Sequence, residues 1–152
     1  MNNKENHPTW LVPLDIAKEL KEIGFDEPCL FSYSESDGIT AMVYSSLEGK
    51  IEISIKYFVL GGNSPGSPFT DIPTYEQVFA WFRERGYLYA IENEICYDFK
   101  TRTQPPKIKY TSYFETVGSG VKLHSCTSES YEEAREELVR DLIGIYREEL
   151  LE

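Results

Sequence analysis

His124 and Cys126 are the only histidine and cysteine that lie close together in this chain, with Ser125 between them. A cysteine nucleophile needs an imidazole or another base brought to its sulfur in space, so this pair is the first candidate for chemistry. Side chains two residues apart share a face of an extended strand, which predicts that His124 and Cys126 lie on the same side. The alternative interpretation is a buried cysteine beside an ordinary histidine. The sequence favours this alternative because adjacency alone does not make a thiol reactive.

Other residue patterns do not indicate a metal or nucleotide site. Cys29, Cys96 and Cys126 are widely separated, and with only two histidines in the chain they lack the spacing of zinc ligands. The glycine-rich stretch 61–68 lacks the Gly-Lys-Ser/Thr ending of a phosphate-binding loop. Gly118-Ser119-Gly120 precedes an expected strand rather than a helix, which is typical of a turn. We therefore predict no cofactor, no metal and no assignable catalytic residue.

One basic segment interrupts a strongly acidic chain. The net charge of −11 argues against general nucleic-acid binding, because phosphate contacts require clustered Lys and Arg. The segment from Phe99 to Tyr113 nevertheless combines cations with aromatic residues, as single-strand binders do. Its candidate interaction residues are Lys100, Arg102, Lys107, Lys109 and Tyr110. A surface for a protein partner, an edge strand protected by lysines and a site for single-stranded nucleic acid remain open as interpretations.

Three amphipathic helices are expected to position these residues. The first begins near Pro13, the second follows Thr74, and the third follows Ser130. Thr74 with Gln77, and Ser130 with Glu133, have the spacing of capping boxes. The first two helices end in Gly24-Phe25 and Gly86-Tyr87, and glycine in this position is typical of a left-handed helix end.

The remaining apolar stretches predict strands. The expected strands are 29–33, 39–45, 51–57, 87–91, 95–99, 108–117 and 121–124. Glu92-Asn93-Glu94 is expected to be the turn of a hairpin. Because strands follow one another instead of alternating with helices, we predict an α+β fold in which an antiparallel sheet carries about three helices on one face. The two helix–Gly–aromatic–strand units suggest a tandem pseudo-repeat, although this helix ending is also common in unrelated proteins.

The length of 152 residues fits a single domain, 1–152. Within it we expect a flexible tail at 1–9, a connecting loop between two halves at 61–68, and a C-terminal helix at 130–152. The polar start of the chain and the lack of a long apolar run predict neither a signal peptide nor a membrane span. An odd number of scattered cysteines indicates reduced thiols and a cytoplasmic protein.

Several stretches resemble a known group of proteins. They are Gly24–Cys29 (GFDEPC), Pro73–Tyr75 with Trp81–Arg83, and Tyr131–Ala134. The chain resembles, over roughly half of its length, a group of small uncharacterised proteins encoded in phages, prophages and other mobile elements of gut anaerobic bacteria. It departs from that group at 61–68 and at 100–126. The resemblance implies an accessory protein that works by binding, and it supplies no catalytic residues.

We therefore expect an acidic cytoplasmic protein that acts by protein–protein interaction. A small enzyme whose site is assembled from distant residues is the alternative, with His124, Cys126 and the tyrosines as its first candidates. A single-stranded nucleic-acid binder using residues 99–113 is a further alternative, although the net charge opposes it. The sequence gives neither the partner nor the oligomeric state.

Overall fold

The computed structural model describes residues 8–36, 38–41, 44–45, 51–52, 68–97 and 105–151. Its helices are α1 (Leu14–Glu22), α2 (Tyr75–Glu84) and α3 (Tyr131–Glu149). Its strands are β1 (Phe31–Ser34), β2 (Gly38–Ala41), β3 (Tyr44–Ser45), β4 (Ile51–Glu52), β5 (Thr70–Ile72), β6 (Tyr87–Cys96), β7 (Lys107–Thr116) and β8 (Leu123–Ser128). The predicted α+β class is confirmed, and the antiparallel strands form two three-stranded sheets, β2-β1-β5 and β6-β7-β8, and a two-stranded pair, β3-β4.

The ends of α1 and α2 have the predicted glycine geometry. Gly24 and Gly86 have φ angles of +87° and +88°, in the left-handed region that glycine adopts without a steric cost. After α1, the amide of Gly24 donates to the carbonyl of Lys21, and the amide of Phe25 donates to the carbonyl of Leu20. This pair of bonds is the Schellman motif, which satisfies carbonyl groups that the helix leaves open.

The structure agrees with the predicted helix starts to different degrees. Pro13 lies one position before α1, with a non-helical ψ of 155°. Thr74 and Gln77 form the predicted reciprocal box: the Thr74 amide donates to Gln77 Oε1 at 3.0 Å, and the Gln77 amide donates to Thr74 Oγ1 at 3.2 Å. At α3 only half of the box forms. The Glu133 amide donates to Ser130 Oγ, but the Ser130 amide donates to Ser128 Oγ at 3.0 Å, and Ser128 in turn donates to the Glu133 carboxylate.

The chain divides into two compact units, Met1–Trp81 and Phe82–Glu152, and the division falls within α2. The first unit contains the β2-β1-β5 sheet and α1, which packs on β5. Its buried side chains are mainly aliphatic and aromatic, and they include Leu11, Val12, Ile16, Ala17, Leu20, Phe25, Ile72, Val78 and Trp81. The indole of Trp81 donates to Asp26 Oδ1 at 2.9 Å, which satisfies the one polar atom of this large buried ring.

The strand β5 was not predicted, because its three residues are too few to show a periodic pattern. Of the expected strand at 51–57, the structure describes Ile51 and Glu52, which pair with Ser45 and Tyr44. Residues 53–57, residues 61–67 of the expected loop 61–68 and residues 1–7 of the expected tail 1–9 lie outside the described residues.

The second unit is a three-stranded meander with α3 packed on β7 and β8. The prediction of a hairpin turn at Glu92-Asn93-Glu94 is wrong, because β6 runs through these residues without interruption. Its register with β7 is continuous from Tyr87 opposite Thr116 to Cys96 opposite Lys107. The polar triplet lacks the glycine that a tight hairpin turn requires.

The two helix endings are followed by strands in different sheet positions. After α1 the chain enters β1, the central strand of its sheet, whereas after α2 it enters β6, which is an edge strand among the described residues. A left-handed glycine followed by an aromatic residue therefore leads into different sheet positions in the two units.

Candidate interaction surface

The hairpin of β6 and β7 extends beyond the third strand of its sheet. The pairing of β8 with β7 ends at Ser128 opposite Tyr110, but β6 and β7 continue for three further pairs. These pairs are Glu94 with Lys109, Ile95 with Ile108, and Cys96 with Lys107. We call residues 94–97 and 107–109 the β6–β7 extension. A two-stranded ribbon has few ways to bury its side chains, which makes it a natural place for a contact surface.

Apolar side chains of this extension are open to solvent. Ile95 and Ile108 lie directly opposite each other and are 52% and 46% exposed. Tyr97, which follows β6, is 60% exposed. Single exposed apolar residues are ordinary, but a cross-strand pair next to an exposed aromatic ring forms a patch of the kind found in protein contact surfaces.

The lysines of the predicted basic segment face acidic residues. Lys107 Nζ lies 2.9 Å from Glu129 Oε1, with both side chains more than half exposed. Lys109 stands opposite Glu94 across the hairpin. The described part of the segment is therefore a surface of alternating charge rather than the unbroken positive track that a nucleic-acid backbone requires.

The candidate residues do not all lie on one face. Lys107 and Lys109 are two residues apart on β7 and share a face, whereas Tyr110 lies on the opposite face. There its ring makes an edge contact with Tyr131 of α3, at 5.7 Å between centroids. The other two candidates, Lys100 and Arg102, lie outside the described residues.

The sheet face opposite α3 carries a second group of polar contacts. Lys122 pairs with Glu92 and lies 4.0 Å above the ring of Tyr113. Lys122 and Tyr113 border a cavity of about 250 Å³, whose wall also includes Leu88 and Ala90. The cation already has both an acidic and an aromatic partner, so this cavity does not present an available positive charge.

The expectation that His124 and Cys126 share a face is wrong. A β-bulge at Ser125 inserts one extra residue between them. His124 therefore lies opposite Tyr113 and Cys126 lies opposite Ser112, on opposite faces of the sheet. His124 Nε2 bonds with Thr127 Oγ1 at 2.9 Å on the face away from α3. Ser125 Oγ points toward α3, where it donates to Asp141 Oδ2 at 2.6 Å.

The thiol of Cys126 is not activated by its surroundings. Partial burial raises its pKa, and the nearby carboxylates of Glu137, Glu133 and Asp141 raise it further. The thiolate is the nucleophilic form, so a raised pKa reduces the reactive fraction at neutral pH. The separation from His124 and this acidic environment together argue against a thiol–imidazole site.

The first unit contains a larger, mainly apolar cavity of about 400 Å³. Trp10 and Phe31 form an edge contact at its side, with 5.3 Å between ring centroids. Gln77, also in the wall, uses its amide oxygen in the capping box and donates from Nε2 to the carbonyl of Pro28 at 2.7 Å. Cys29 is buried in this wall, and burial, followed by the charges of Asp71 and Glu27, raises its pKa strongly.

The described residues also bear on metal binding and on membrane crossing. In the part of the chain that the structure describes, no three His, Cys, Asp or Glu side chains come together in a way that could hold a metal ion. Among the described helices, none combines the length and the apolar character that a membrane crossing requires.

Sequence reasoning missed the apolar part of the β6–β7 extension. Ile95 and Ile108 were assigned to separate strands on either side of a proline pair, so nothing connected them. The signal that could have joined them is a single charge pair with an apolar pair beside it, since Glu94 and Ile95 on one strand lie opposite Lys109 and Ile108 on the other. In comparisons with known proteins, no family model, no curated protein and no solved structure matches this chain.

Proposed function

We propose that this protein acts by binding another protein, and that the β6–β7 extension forms part of the contact surface. The observation that carries the proposal is the solvent-exposed pair Ile95 and Ile108 on a ribbon that extends past β8. Exposed Tyr97 adds an aromatic side chain, and Lys107 and Lys109 place charge on the other face of the same ribbon. Exposed apolar and aromatic side chains beside charged residues are typical of protein–protein contacts.

The cellular setting is part of the same proposal. Cys29, Cys96 and Cys126 are free thiols, which supports a reducing compartment such as the cytoplasm. The resemblance of its helices to small phage and mobile-element proteins supports an accessory role in which the partner is a protein of the host cell. Binding of single-stranded nucleic acid is a weaker alternative, because Lys107 is paired with Glu129.

Affinity capture with matched variants tests this proposal. The full chain would be immobilised, exposed to lysate of its source cells, and the retained proteins identified by mass spectrometry. We expect at least one protein to be retained by the wild-type chain and lost with Ile108→Asp, because a buried carboxylate is costly in an apolar contact. Val117→Asp is the matched control, since Val117 is 62% exposed at the opposite end of the same hairpin.

Circular dichroism of each variant would establish that the fold is kept. Retention of nothing above background would contradict the proposal. Equal retention by the wild type and Ile108→Asp would show that the contact surface lies elsewhere, and would contradict the assignment to the β6–β7 extension.

A further inference from the structure

The outer edge of β6 is a second feature of the extension. Among the described residues, β6 is an edge strand of its sheet, with β7 on one side. The backbone N–H and C=O groups of every second residue of an edge strand point away from the sheet, where an added strand can pair with them. Residues 92–95 of β6 are exposed, so this half of the edge is accessible.

The side chains along this half of β6 alternate in character. Glu92 and Glu94 lie on one face, where Glu92 already pairs with Lys122, and Ile91, Asn93 and Ile95 lie on the other. A strand that pairs here places its own residues directly opposite, about 5 Å away, on both faces. The most favourable neighbour therefore has a cation opposite Glu94 and an aliphatic side chain opposite Ile95.

The paired edge of β6 provides an example of such a neighbour. On that side β7 sets Lys109 opposite Glu94 and Ile108 opposite Ile95. Lys109 and Ile108 thus match the charge and the apolar character of β6 at adjacent positions, whereas Lys107 lies opposite Cys96. The outer edge presents the same side chains to a strand arriving from solvent.

We infer that the outer edge of β6 at residues 92–96 binds an extended segment of a partner protein in which Lys or Arg alternates with aliphatic residues. Binding occurs by strand addition, with backbone hydrogen bonds supplying affinity and the alternating side chains supplying selectivity. A second copy of β6 is a poor occupant, because antiparallel self-pairing brings Glu92 and Glu94 against the same residues of the other copy. The inference rests on the proposed function, since it specifies the kind of partner.

A synthetic peptide tests the inference without the natural partner. The probe is a capped peptide with the sequence of residues 107–113, KIKYTSY, and the control is EIEYTSY, in which both lysines are replaced. Binding to the full chain would be followed by backbone amide NMR. We expect saturable binding of the lysine peptide, with slowed hydrogen exchange at alternate amides of residues 92–96, and no binding of the glutamate peptide.

Two charge-reversed variants of the protein separate local pairing from overall charge. Glu94→Lys should weaken binding of the lysine peptide about tenfold, because it sets like charges opposite each other. Glu137→Lys makes the same change in net charge on an exposed position of α3 and should leave binding within about twofold, well under the 1.4 kcal/mol of a tenfold change. Amide spectra with the wild-type dispersion would show that both variants are folded.

Three results would overturn the inference. They are the absence of saturable binding, equal weakening by the two variants, and protection of amides elsewhere than in β6. If the peptide fails while Ile108-dependent capture from lysate succeeds, the protein-binding function stands and strand addition falls. If capture fails as well, both are rejected.

Discussion

Asp71 is a charged residue enclosed in the first unit. It lies on β5 opposite Ser32 of β1, and 7% of its surface is exposed. Burial raises its pKa to about 6, against the opposing influence of the Lys21 ammonium. A carboxyl group in this position is held partly as the neutral acid near neutral pH, because burial disfavours the charged form.

This shift makes a specific contribution to the pH dependence of stability. In the unfolded chain an aspartate has a pKa of about 3.9, so between about pH 4 and 6 the folded state holds more protons at Asp71 than the unfolded state. The free energy of unfolding contributed by this residue therefore falls as the pH rises through that window. The loss is complete above about pH 6, and its size is on the order of 1–3 kcal/mol.

Asp71→Asn should remove this contribution because the amide does not titrate. Between pH 4 and 7, the free energy of unfolding should fall less for the variant than for the wild type. At pH 7.5 the variant should have the higher free energy of unfolding. Urea unfolding at several pH values measures the difference between the two curves, which cancels the titration of other groups. Glu35→Gln, at an exposed position of the same unit, serves as the control. Parallel curves for Asp71→Asn and wild type would contradict the prediction.

At the scale of elements, the helices followed from the sequence and several strands did not. Thr74, Gln77, Gly24 and Gly86 act through bonds to residues one turn away, so their spacing alone predicts the helix ends. The pairing of Ile95 with Ile108 depends on residues far apart in the chain. The polar triplet Glu92-Asn93-Glu94 resembles a turn in composition although it lacks glycine. The expected turn divided β6 in two, so the apolar half of the candidate surface was not predicted.

Gly144 provides a test of an element whose geometry is now known. A Cβ atom added there would meet no atom of another element within 4 Å. The residue lies inside α3 and its φ is not left-handed. The glycine therefore costs helix stability without a packing benefit.

Gly144→Ala should raise the free energy of unfolding by about 0.5–1 kcal/mol, since alanine restricts the unfolded chain and favours the helix. Chemical denaturation measures this change. Gly86→Ala is the contrasting variant: the same substitution at a φ of +88° should destabilise the protein by about 1–2 kcal/mol. A destabilised Gly144→Ala protein would mean that α3 requires glycine for a reason that its surroundings do not show.

At the scale of the whole molecule, charge distribution constrains the choice of partner. The chain carries a net charge of −11, and the lysines of its described basic segment stand close to glutamates. A polyanion approaching the surface would meet this negative field over about 10 Å at ordinary salt. A protein segment with alternating cations experiences the opposite effect.

We therefore expect no binding of a labelled single-stranded oligonucleotide, even at low salt. Fluorescence anisotropy of a 20-nucleotide probe at about 20 mM salt would give the most sensitive reading, because counterion release favours binding most strongly there. Binding that weakens steeply as salt is added would contradict this expectation and would revive residues 99–113 as a nucleic-acid site. A Lys107→Glu variant would then report whether that lysine takes part.

The bulge at Ser125 has a consequence for how the length of this chain can vary. Removing Ser125 would leave His124 opposite Tyr113 and Cys126 opposite Ser112, so the side chains on both sides of the deletion would keep their faces. A one-residue deletion within the regular part of β7 would instead turn every later side chain to the opposite face. β8 therefore contains one residue that its pairing with β7 does not require. A chain without Ser125 would lose the bond to Asp141 but would keep the side chains of β8 that face α3.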